Sequence, residues 1–225
     1  MSDEQPIIEP TGRTRIRRHP ERAAYDRELI HSILDEALIC HVAYVAGGEP
    51  RVIPTVHARI GDVLYLHGSR ASRTIRSLTS GIEVCVTATI VDALVLARSA
   101  FAHSMNYRSV IVYGSAEEVT DREEQRAAAR ALADHVAPGR AADARAPNDV
   151  EMSQTSLLSL AIEEASAKVR TGPPVDDPED HDLPVWAGVL PLVVSAGDPE
   201  AAADLPASTR TPDYLVAYDR RRARG

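Results

Sequence analysis

The chain has 225 residues, 44% of them hydrophobic, and a formal net charge of −8. That length suits one sizeable domain whose core needs no disulfide support, and the acidic balance argues against a general affinity for nucleic acid. No apolar run approaches the roughly 18 residues of a membrane helix and the polar start has no signal-peptide core, so a cytoplasmic location is expected.

Cys40 and Cys85 both sit in apolar, strand-like runs and read as small buried hydrophobes in a reducing compartment. Arginines cluster at Arg13, Arg15, Arg17, Arg18 and Arg22, and again at Arg220, Arg221, Arg222 and Arg224. We read both clusters as solvated tails, with a basic patch on a terminal arm as the alternative.

Residues 1–22 show no hydrophobic period and are expected to form a basic arm, followed by one domain over 23–194 and a tail over 195–225. Asp26 is placed to cap a helix whose apolar stripe is Leu29, Ile30, Ile33, Leu34, Ala37 and Leu38. From Ile39 the period becomes strand-like. Strands are expected over 39–46 and 51–60, divided at Gly47-Gly48, and over 63–67 after Gly61-Asp62; such pairs signal hairpins. A short helix over 72–80 should stop at Gly81. Strands at 82–90 and 93–97 form a further pair, and 107–118 reads as a long strand. Thr120 and Glu123 match a capping box for an alanine-rich helix ending near Val136. A loop over 138–150, a strand over 157–170, an acidic loop over 172–182 and a last strand over 185–194 complete the pattern. Many short strands joined by tight turns, with few helices, predict a mainly β fold: an antiparallel barrel with flanking helices.

The sequence lacks the Walker-type and dinucleotide-binding glycine motifs, H-E-x-x-H, C-x-x-C and G-x-S-x-G. His57 and His67 can meet across adjacent strands, but two ligands without a third do not make a metal site, and no metal is expected. Phosphate chemistry is better represented. In "YLHGSRASRT" (65–74), Ser69, Arg70, Ser72 and Arg73 supply hydroxyls and guanidinium groups at the start of a helix, with Arg76 one turn on and Gly68 permitting a sharp turn. "HSMNYRSV" (103–110) groups Ser104, Asn106, Tyr107, Arg108 and Ser109 at a strand mouth. Pro54 marks an edge or bulge, leaving backbone groups free to pair with a flat heteroaromatic ring.

The segments "RVIPTVHARIGDVLYLHGSRASRTIRSLTSG", "HSMNYRSVIVYGSAEEVTDREEQ" and "SAKVRTGPP…VWAGVLPL" resemble the pyridoxamine 5′-phosphate oxidase-related flavoproteins, and within them the branch of nitroimidazole-resistance proteins. The resemblance runs from about residue 15 to 194. It implies a split β-barrel that dimerises, with FMN at the subunit interface. The ring would lie along 51–57, including Pro54, Thr55 and Val56. The phosphate would lie at Gly68, Ser69, Ser72, Arg73 and Arg76, with Ser104, Asn106, Tyr107, Arg108 and Ser109 near the site. His67 falls where that branch has a histidine facing flavin and substrate, which implies a catalytic role. The chain departs from its relatives at Gln125, where they usually carry lysine, and at Ala141, where an aromatic is common. It also lacks the C-terminal arginine-histidine element that binds pyridoxal phosphate in true pyridoxamine-phosphate oxidases. The family name therefore does not give the activity.

The resemblance implies an FMN-dependent oxidoreductase taking hydride from reduced nicotinamide (NAD(P)H) and passing electrons to a small acceptor such as a nitro compound or quinone. A non-catalytic flavin- or haem-binding protein, with His57, His67 or His103 as axial ligand, and a deazaflavin-dependent reductase are the alternatives.

Overall fold

The computed structural model of the protein describes residues 6–218; the arginines at 220–224 lie outside them. Helix α1 (Arg27–Glu36) begins where the Asp26 carboxylate accepts from the Leu29 backbone N–H. Its stripe of Ile30, Ile33 and Leu34 is fully buried. These residues share one core with Leu64 and Leu66 of one sheet and Val86, Val110 and Val112 of the other. Each such side chain contributes about 1.5–3 kcal/mol on leaving water, and it is this shared core that holds the two sheets together.

The strands are β1 (Ala23–Ala24), β2 (Cys40–Ala46), β3 (Glu49–Thr55), β4 (His57–Ile60), β5 (Val63–Ser69), β6 (Glu83–Leu96), β7 (Ser104–Ser115), β8 (Glu117–Glu118), β9 (Thr155–Ala161), β10 (Glu164–Arg170) and β11 (Gly188–Pro191). The larger sheet runs β1-β10-β7-β6-β2-β3, with β11 also on β6, and the smaller runs β4-β5-β9-β8. Every pairing is antiparallel. The result is the expected β-rich, unclosed barrel. Helix α2 (Arg73–Leu78) follows β5, and α3 (Arg122–Val136) packs Ala128 and Leu132 against Ala58, Tyr65 and Leu157 of the smaller sheet.

Several boundaries differ from the sequence pattern. The run 51–60 is two strands in different sheets, broken at Val56, and 157–170 likewise divides between Ala161 and Glu164. Periodicity does not reveal a change of sheet, because the chain stays extended through it. The stretches 82–90 and 93–97 are one continuous strand, β6, with a bulge between Val91 and Ala93. Asp121, and not Thr120, caps α3, accepting from the backbone N–H groups of Glu123 and Glu124. The expected loop 138–150 contains α4 (Arg140–Asp143) and the start of α5 (Asp149–Gln154), the latter with a capping box between Asn148 and Glu151. The arm packs closely: Ile8 enters the core, and Arg13 pairs with Glu83 and Glu164 while lying over the Tyr113 ring. Cys40 is buried, which pushes its thiol up to about 12, and Cys85 is half-buried with its thiol also raised.

No helix among the described residues is long and apolar enough to cross a membrane.

Candidate functional site: an arginine cleft beside helix α2

Helix α2 is fixed from beneath. Ile75 and Leu78 point into the core, and Gly68 lets Ile75 approach β5 so closely that a Cβ there would sit 2.8 Å from its side chain. The Tyr44 hydroxyl, on β2, lies 3.2 Å from the Thr74 hydroxyl and ties the helix to the larger sheet. The opposite stripe of the helix, at three- and four-residue spacing, therefore faces outward. Its residues Arg73, Arg76 and Ser77, with Ser80 just beyond, line an open cleft of about 420 Å³ together with Ala46, Gly47 and Arg51 from the β2–β3 hairpin.

Three guanidinium groups thus face one cleft in a protein that is acidic overall. Arg51 has a neighbour, Glu49, at 3.2 Å. The Arg73 and Arg76 side chains have no hydrogen bond or ion pair among the described residues. Two unpaired arginines and two hydroxyls form a donor set suited to an anion with several acceptor oxygens, and phosphate is such a group.

Of the residues anticipated for this role, Arg73 and Arg76 reach the cleft. Ser72 caps α2, its hydroxyl accepting from the Ile75 N–H at 3.1 Å, and Ser69 lies at the exposed end of β5 opposite Thr155. Arg70 pairs with Glu118 at 2.9 Å. Arg51, Ser77 and Ser80 were not anticipated. The spacing 73/76/77/80 was a legible helical stripe, whereas Arg51 joins it only through the hairpin.

Pro54 and Thr55 end β3, the edge of the larger sheet, with Pro54 opposite His41 and Thr55 opposite Cys40, and Val56 is the break that follows. The outer face there is apolar and uncovered, with Val45 and Val52 each 59% exposed. Ser104, Asn106, Tyr107, Arg108 and Ser109 lie along β7 opposite Val95, Ala93, Val91, Ile90 and Thr89. Measured along the sheet at about 3.3 Å per residue, they lie from about 20 Å (Ser109) to about 40 Å (Ser104) from the cleft. Within one chain the two groups do not form one site. Arg108 is held by Glu36 at 2.9 Å and Asp92 at 2.8 Å, Asn106 donates to the Gly172 carbonyl at 3.1 Å, and the Ser109 hydroxyl donates to the Lys168 carbonyl at 3.3 Å.

His67 sits at the exposed rim of β5, on the strand face shared with Tyr65. Desolvation by nearby protein lowers its pKa. His57 pairs in register with Leu66, so His57 and His67 point to opposite faces and do not meet. His57 is fully buried, with Nε2 2.7 Å from the Leu34 carbonyl and its ring 4.5 Å from that of His135. His103 is exposed, and its Nδ1 donates to the Ser99 carbonyl at 2.8 Å. No group of three or more potential metal-ligating side chains occurs among the described residues.

Residues 26–169 match the family described as pyridoxamine 5′-phosphate oxidase. The chain belongs to this family. Two solved structures resemble it over nearly its full length. The flavocytochrome Anf3 from Azotobacter vinelandii is 37% identical, with a TM-score of 0.86 over 93% of this chain and 98% of that one. An FAD- and haem-binding protein from Mycobacterium smegmatis is 36% identical, with a TM-score of 0.83 over 87% and 96%. A putative 5-nitroimidazole antibiotic resistance protein from Bacteroides thetaiotaomicron is 25% identical, with a TM-score of 0.57 over 65% and 86%. No curated protein sequence matches the chain. The split barrel expected from the sequence is thus the fold of this family.

Proposed function

We propose that the protein is a flavin-dependent oxidoreductase, with the flavin phosphate in the cleft of Arg51, Arg73 and Arg76. The observation that carries this reading is the pair of unpaired guanidinium groups beside Ser77 and Ser80. The apolar outer face and free edge of β3 support it, since they offer a flat surface and open backbone groups to a ring. When bound, flavin supplies hydride and single-electron chemistry. The protein's part is to hold the phosphate with Arg73 and Arg76, to position the ring at the β3 edge, and to present His67 as hydrogen-bond donor or general acid to an acceptor. FMN, alone or as the FMN half of FAD, satisfies the cleft equally. Reduced nicotinamide is the proposed donor.

We further propose a homodimer. The segment 104–109 and the cleft do not meet within one chain, and a second copy packed on the apolar face around Val45 and Val52 both covers that face and brings a second set of β7 residues near the flavin.

The two relatives at 36–37% identity favour haem as a second redox group. The histidines fit this. His57 is engaged with the Leu34 carbonyl, whereas His103 is exposed and, with Nδ1 on the Ser99 carbonyl, has Nε2 as the ring nitrogen to offer a metal.

Absorption of the purified protein, followed by mass spectrometry of the released cofactor, tests the reading. Flavin bands with a Soret band are expected. A colourless protein that takes up neither FMN nor FAD refutes it, and a deazaflavin mass replaces flavin as the cofactor.

A further inference from the structure

The larger sheet holds a second concentration of positive charge, far from the cleft. Arg170, the last residue of β10, is 8% exposed. Its guanidinium donates to the Asn106 amide oxygen and, at 3.3 Å, to the Pro173 carbonyl. Both acceptors are neutral, and no carboxylate among the described residues pairs with it. Arg22 stands on the short turn that packs against β10, and burial, with the positive charge of Arg22 added to it, lowers the Arg170 pKa. Among the described residues the Arg22 side chain pairs with Glu21, at 3.6 Å and with the carboxylate largely in solvent.

The chain is shaped to bring these two cations together. His19 adopts φ 57°, the only positive value at a non-glycine position among the described residues. It bends the arm into the short turn Pro20–Arg22, which packs against β10 before Ala23 pairs with Lys168. The Lys168 ammonium donates to the Arg18 carbonyl at 3.1 Å and fastens the arm. Tyr107 stands opposite Arg170 on β7. A buried guanidinium whose acceptors are both neutral, with a second arginine on the turn packed against its strand, is an unbalanced arrangement, and burying such charge is expensive unless a counter-charge is supplied.

We infer that the junction of the arm and the end of β10 is a second anion site, in which Arg170 and Arg22 receive a phosphate or carboxylate group of a ligand. Arg170, held by Asn106 and Pro173, is the fixed donor. Arg22, with its side chain 27% exposed, is the donor at the mouth. The site forms within one chain and needs neither the cleft nor a bound flavin, although Asn106, which holds Arg170, belongs to the segment that the proposed dimer turns toward the flavin.

The test uses an Arg73→Gln/Arg76→Gln background, which disables the cleft. Thermal midpoints are measured against inorganic phosphate and against acetate, each compared with chloride at equal ionic strength. Saturable stabilisation is expected in this background, with apparent affinity at least tenfold weaker once Arg22→Gln is added and partly restored by Arg22→Lys. Arg22 is the residue to vary because it is partly exposed, whereas Arg170 also braces the 172–173 loop. Tighter binding of phosphate assigns a phosphate-bearing ligand, and equal or tighter binding of acetate assigns a carboxylate. Stabilisation no greater than in chloride, or unchanged by Arg22→Gln, overturns the inference.

Discussion

Removing Arg73 and Arg76 separates binding from folding unusually well. Neither side chain has a partner within the described protein, so their loss should change stability by no more than about 0.5 kcal/mol. Bound phosphate would lose one charge-assisted hydrogen bond for each arginine removed, worth about 1.5–3 kcal/mol, or roughly ten- to 150-fold in affinity. Arg51→Gln should have a smaller effect, because Glu49 at 3.2 Å already offsets part of its charge. Flavin fluorescence quenching, titrated with FMN and in parallel with riboflavin, measures the difference. Riboflavin has no phosphate, so its affinity should scarcely respond to Arg73→Gln or Arg76→Gln. Arg17→Gln on the arm should leave both ligands unaffected. If riboflavin and FMN weaken equally, or if Arg17→Gln matches Arg73→Gln, the cleft is not the phosphate site.

His67→Ala should retain flavin and slow reoxidation of the reduced protein by a nitroaromatic or quinone at least tenfold in stopped-flow, the lower range of general-acid effects; an unchanged rate makes His67 structural. Gly68→Ala should destabilise the protein by about 1–3 kcal/mol, since the new methyl meets Ile75 at 2.8 Å and displaces α2; an unaltered urea midpoint would show that Ile75 repacks freely. Burial, with Arg59 and Arg27 nearby, lowers the pKa of His31 despite Asp62 at 2.9 Å. The unfolded chain therefore binds its proton first, and stability should be complete above about pH 6.5 and fall below it. His31→Gln should flatten that fall in urea midpoints taken across the range, and an unchanged slope would assign it to other groups.

Local chemistry was enough to reveal much of this protein. Asp26 and the Ile30/Ile33/Leu34 stripe place α1, the paired glycines at 47–48 place a hairpin, and Ser72 places the start of α2, because capping, helical period and turn preference act over a few residues. Arg73 and Arg76 were legible for the same reason. Only the tertiary structure decided which strands share a sheet. The break at Val56 and the turn after Ala161 each send a seemingly continuous strand into a different sheet, and that choice rests on contacts made by residues far apart in sequence. The same holds for the sites. Arg51 reaches α2 through the β2–β3 hairpin, and Arg22 is brought against β10, the strand that ends in Arg170, through the bend at His19 and the pairing of β1 with β10. Charge acts through space, so an arginine's partners, or their absence, are set by the fold and not by its neighbours along the chain.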